Sequence, residues 1–161
     1  MNKKTILLHR ILFFASILIL AASLVFFLIK WNTLPEKIGI HFAEDGQFDV
    51  TDSKLFGFYP HLIGVIFIAI TAAAGFLTNK IKLGLRLTEK GEQLFKTEFR
   101  LTIDSLNVLL SLFFANWSRC VSLQIPLDLT TVQILIYIML AVIAAGSILG
   151  IITCQKYKEK K

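Results

Sequence analysis

Residues 31–54, WNTLPEKIGIHFAEDGQFDVTDSK, carry five acids, one His, one Pro and two Gly between two long apolar runs. His41, Asp45 and Asp49 in this stretch, with His61 shortly after it, are imidazole and carboxylate groups of the kind that hold a divalent metal. Their spacing weakens that reading, because neither a His-x-x-x-His nor a His-Glu-x-x-His pair occurs. A hydrogen-bonded structural loop accounts for the same residues. No catalytic residue is assigned, and a divalent metal is the one cofactor kept open.

A second polar set lies in the third apolar run, where Asp104, Asn107, Ser111 and Ser118 follow at spacings of three, four and seven. Those intervals put all four on one helical face. An acid inside a membrane costs about 2.5–3.5 kcal/mol at mid-span, so such residues usually face a bundle interior, a cavity or a site. Asp104 is expected about one turn in from a helix end, so two readings stand. It pairs with Arg100 or snorkels, or it serves an ion, proton or ligand. His9 and Arg10 are expected to anchor the first helix at the interface.

The elements that must position these residues follow from composition. The chain has 161 residues, 55% of them hydrophobic, with 14 Phe, above the roughly 45–50% apolar share of soluble domains. Four runs, Ile11 to Ile29, Tyr59 to Leu77, Leu101 to Trp117 and Val132 to Ile152, approach or reach the roughly 20 residues that cross a bilayer. None alternates as a barrel strand does, and only helices or closed barrels satisfy the backbone in lipid. The fold class expected is therefore an all-α integral membrane protein, one domain over 1–161. Its helices are placed at about 5–30, 57–79, 92–118 and 131–154, with a polar loop at 31–58 and a basic loop at 80–100. Ala21-Ala22-Ser23 resembles a signal cleavage site, but the apolar run continues to Ile29, past the end of a typical h-region. An uncleaved first helix is expected.

Of the 17 Lys and Arg, all but Lys30, Lys37, Lys54 and Arg119 fall in the N-terminal segment, the middle loop, or the tail that ends in Lys160 and Lys161. Cytoplasmic segments carry such an excess, so both termini are expected in the cytoplasm and the 31–58 loop outside. The net charge of +6 then needs only anionic lipid as a partner, and no direct nucleic-acid binding is expected. Cys120 and Cys154 fall at opposite faces in this topology, which excludes a disulfide between them. Leu83 and its neighbours suit a segment lying along the inner interface. Gly146 and Gly150 form a small-xxx-small pair, open to packing within the bundle or to homodimerisation.

The polar loop has turn chemistry of its own. Pro35 pushes Leu34 toward an extended conformation, Ile38 to Phe42 alternates as a short strand, and Glu44-Asp45-Gly46 reads as a turn with Gly46 at positive φ. Gln47 to Val50 can return as a second strand. A small outer hairpin is expected, with Ile38, Ile40, Phe42 and Phe48 resting on the helix ends.

Leu34, Pro35, Ile38, His41, Phe42, Gly46 and Asp49, with Ser53-Lys54, resemble the signature of a bacterial membrane domain of unknown function. That domain forms the N-terminal module of SdpI-like immunity proteins. Gly39 stands where the family usually has a second Pro, and Ala43 where Asn is common, which implies a less rigid loop. The resemblance implies location in the bacterial cytoplasmic membrane and immunity to, or binding of, a secreted cationic or amphipathic peptide toxin. It also implies relay to a cytoplasmic repressor. A metal-dependent membrane enzyme or a transporter subunit is the alternative.

Overall fold

In the computed structural model, residues 3–82 and 84–159 are described, apart from the Asn79 side chain. Leu83, Lys160 and Lys161 lie outside the described residues. Among the described residues are four helices, α1 (Lys3–Lys30), α2 (Tyr59–Lys80), α3 (Glu89–Leu123) and α4 (Leu129–Lys156), all long and apolar enough to cross a membrane. A two-stranded antiparallel hairpin, β1 (Lys37–Phe42) and β2 (Phe48–Ser53), joins α1 to α2. Short 3₁₀ turns flank the hairpin at Trp31–Thr33 and Lys54–Phe58.

The third helix begins earlier and ends later than the expected 92–118. At its start Thr88 accepts a hydrogen bond from the Gly91 amide, and Glu89 and Glu92 place negative charge in the first turn. Both devices favour a helix N-terminus, and they shorten the expected 80–100 loop to residues 81–88. At its far end Gln124 adopts the left-handed region, with φ 51, and its amide bonds back to the Cys120 and Val121 carbonyls. Pro126 follows in a non-helical segment. The chain entering α3 is held to the chain leaving α4, since Thr88 N donates to Tyr157 O at 2.9 Å and Glu159 N donates to Arg86 O at 3.0 Å.

The least apolar of the four helices, α3, is also the most buried. It packs against α1, α2 and α4, whereas α4 rests chiefly on α3. Gly146 and Gly150 are used inside this bundle. A Cβ on Gly146 would come within 2.2 Å of the Thr102 hydroxyl, and one on Gly150 would lie 3.1 Å from the Phe95 ring. The contact of α3 with α4 uses the missing Cβ at Gly146, and Gly150 meets only the edge of the Phe95 ring. Cys120 and Cys154 are free thiols.

The hairpin rests on the end of α3. Leu34 is extended, with ψ 138, and buried before Pro35. Gly46 has φ 80 at the turn, and its carbonyl accepts from Leu127 N at 2.8 Å. Ile38 is 1% exposed and joins Phe27, Leu34 and Val121 in a core onto which Ile40, Phe42, Phe48 and Trp117 pack. The register slips around Ile40 and His41, so the strand bulges, and Ile40 O accepts from the Trp117 indole at 3.3 Å.

Gly39 is fixed, contrary to the looser loop that its place in the signature implies. Its amide donates to Gln124 Oε1 at 2.8 Å, and its carbonyl accepts from Gln124 Nε2 at 3.4 Å. Any Cβ there would fall 2.3 Å from the Phe48 ring, and a Pro would lack the donated proton. In a Gln124→Gly variant the backbone suits φ 51 but the side-chain bonds to Gly39 are lost. Amide exchange at Gly39 should accelerate about tenfold, matching a hydrogen-bond loss of about 1–1.5 kcal/mol. Unchanged exchange would contradict the docking.

Candidate functional site

The residues singled out at 34–49 divide into two groups. Leu34, Ile38 and Gly46 are buried and Phe42 is half-buried, stacked on Phe48 with ring centroids 4.4 Å apart. These residues shape and seat the hairpin. Pro35, His41 and Asp49 are exposed, and His41 Nδ1 lies 2.6 Å from Asp49 Oδ1 across the two strands. Glu44, Asp45 and Asp52 are exposed on the same hairpin, with Asp45 accepting from the Gln47 amide at 2.9 Å. Lys54 bonds Glu36 at 3.1 Å and lies over the Trp31 ring.

The four residues weighed as metal ligands are not gathered into one ligand set. His41 and Asp49 touch, but His61 is buried in the bundle, with its Nε2 3.1 Å from Ser118 Oγ. Among the described residues no group of three or more His, Cys, Asp or Glu side chains is arranged to hold a metal.

Asp104, Asn107, Ser111 and Ser118 all face inward, and each is 6% exposed or less. Ser122 continues the row, buried and bonded to Ser118 O at 2.6 Å. Partners come from two other helices. His9 of α1 meets Asp104, with Nδ1 to Oδ2 at 2.7 Å. Thr71 of α2 meets Asn107 Oδ1 at 2.9 Å, and His61 of α2 meets Ser118. Arg100, the partner expected for Asp104, stands at 4.0 Å and is the weaker contact.

His9 was expected to sit at the interface, yet it is 2% exposed inside the bundle. The sequence does carry a signal for this. His9, Ser16 and Ser23 recur every seven residues, one face of a helix, and His9 and Ser16 are both buried. A His and an Asp on facing helices then satisfy each other where lipid offers neither a partner.

Halfway along, the row of polar residues is interrupted. Phe114 and Leu20 are buried, and a Cβ on Gly64 would lie 2.8 Å from Leu20 and 3.4 Å from Phe114. Three helices thus meet in an apolar layer between the Asp104–Ser111 half and the Ser118–His61 half.

The fold and these sites define a class, a four-helix protein with spans long and apolar enough for a membrane, a polar seam along α3 and a hairpin docked on its end. No protein-family model, curated protein or solved structure matches the chain.

The His9–Asp104 contact is testable by a double-mutant cycle using His9→Phe and Asp104→Leu, followed by unfolding in detergent. Each single change strands a buried polar partner, and the double change strands neither. The coupling expected is about 1.5–3 kcal/mol, as for hydrogen bonds to charged groups. Additive effects would show that the pair does not form.

Proposed function

We propose that this is a multi-pass protein of the bacterial cytoplasmic membrane, with both termini inside, that binds a secreted cationic or amphipathic peptide at its outer hairpin. This is the immunity role implied by the likeness of residues 34–54 to SdpI-like proteins. The observation that supports it most is a docked hairpin whose solvent-facing side carries Glu44, Asp45, Asp49 and Asp52. A preorganised acidic surface favours a cationic ligand with little ordering cost on its own side. The concentration of Lys and Arg at the other end supports the orientation. α3 runs unbroken from the hairpin contacts at Trp117 to the basic end, a rigid route for relay to a cytoplasmic partner.

The test is expression in a sensitive strain challenged with secreted cationic peptides, with binding to the purified protein in nanodiscs measured at two salt concentrations. Protection and salt-sensitive binding are expected. Combining Glu44→Gln, Asp49→Asn and Asp52→Asn should weaken binding roughly tenfold at low salt, at about 0.5 kcal/mol per exposed charge. No protection, together with binding indifferent to these changes, would sink the proposal.

A further inference from the structure

α1 and α2 touch each other less than either touches α3. A half-open groove of about 420 Å³ runs between them, past Leu20, from Leu24 and His61 near the hairpin to Phe13 and Ala72. Small side chains make the room, since Ala21, Ala69 and Ala72 stand on its walls. Along either helix the groove is about 16 Å long, at 1.5 Å of rise per residue.

Among the described residues that line it, His61 alone has a polar side chain. That ring is 6% exposed, and its Nδ1 has no hydrogen-bond partner. The Ser23 carbonyl of α1 lies near the ring without completing a hydrogen bond to it. On the other side of the ring, Nε2 meets Ser118 Oγ at 3.1 Å. The Ser118 hydroxyl has its proton to place in this contact, and the reverse arrangement would leave that buried proton unused. With Ser118 donating to Nε2, the ring proton sits on Nδ1, an unused donor at the end of an apolar groove.

Depth and width select the occupant. His61 follows Tyr59 and Pro60 at the start of α2, so the groove opens at the membrane boundary. Its length of about 16 Å then reaches the middle of a hydrocarbon core roughly 30 Å thick. That is the depth which the chains of one leaflet fill. A helix with its side chains is about 10–12 Å across and would need about 1,200 Å³ or more over this length, about three times the space present. A single hydrocarbon chain, whose carbons pack at about 3.5–4.0 Å from their neighbours, fits. In a glycerophospholipid each chain begins at an ester carbonyl at the boundary of headgroup and hydrocarbon, and that carbonyl is an acceptor for the Nδ1 proton.

We propose that the groove between α1 and α2 is a lipid site, which holds one acyl chain of a glycerophospholipid from the leaflet on the hairpin side, with the ester carbonyl accepting from His61 Nδ1. The chain fills the gap that the alanines leave between the two helices, and the carbonyl gives the buried imidazole its second partner. The site goes beyond peptide binding at the hairpin and does not depend on it, because none of the exposed acids of the hairpin lines the groove.

Mass spectrometry of the intact chain, released from nanodiscs into detergent, counts the lipids that stay bound. The nanodiscs are made of phosphatidylglycerol with ester-linked chains, of phosphatidylglycerol with the same chains ether-linked, or of an equal mixture. One retained phospholipid per chain is expected, with the ester form favoured about tenfold, as for the loss of one hydrogen bond. His61→Phe keeps a ring but no donor and should erase that preference. Ala69→Leu narrows the groove and should lower retention of both forms several-fold. No retained lipid, equal retention of the ester and ether forms by the unaltered protein, or retention that survives Ala69→Leu would each overturn the proposal. So would a lipid-free pair of chains that Ala69→Leu separates, which would give the groove to a second copy.

Discussion

A polar helix face in lipid has to be satisfied by protein, and α3 makes that demand over most of its length. Asp104, Asn107, Ser111, Ser118 and Ser122 recur on one side of the helix and are all buried. The apolar medium offers them no hydrogen bonds, so α1 and α2 supply His9, Thr71 and His61. The arrangement of the bundle follows from this. α3 becomes the central helix, α1 and α2 close over its polar face, and α4 covers a different side through Gly146 and Gly150. Where polar partners give way to Leu20, Gly64 and Phe114, the contact turns apolar, and the seam divides in two.

The same helix carries the hairpin. Gln124 ends α3 in a left-handed conformation that turns its side chain onto both polar groups of Gly39. Trp117 adds its indole bond to Ile40, and Leu127 fastens the Gly46 turn. Two strands alone are marginal in water. This pair is stable in place because its apolar residues share a core with Phe27 and Val121. The acids Glu44, Asp45, Asp49 and Asp52 are left exposed on the outside of this platform.

Much of this was legible in the residues. Apolar run length located four helices within a few residues, and a three-four-seven spacing identified the buried face of α3. Pro35, Gly46 and the Ile38-Ile40-Phe42 alternation gave the hairpin and its inward side. Other features depend on which helices face one another, which no local pattern encodes. His9 read as an interfacial anchor because its seven-residue partnership with Ser16 was masked by the charges of Lys3, Lys4 and Arg10. His61 read as sharing the outer face with His41, Asp45 and Asp49, because only the folded bundle brings Ser118 to it. Gly39 read as a loosened position, since a fixed glycine and a flexible one look alike until Gln124 is seen across from it. The long reach of α3 came from caps at Thr88 and Gln124, whose effect outweighs hydropathy at helix ends.

The central claim is that α3 turns its polar face to α1 and α2 and its remaining surface to lipid or α4. Nitroxide scanning of residues 104–118 in bilayers, read by oxygen accessibility, tests it directly. The account predicts minima at 104, 107, 111, 114 and 118, recurring with the helical repeat of about 3.6 residues, and higher accessibility at Leu112, which is among the exposed positions of α3. Uniform accessibility along the helix, or minima on the opposite face, would contradict it.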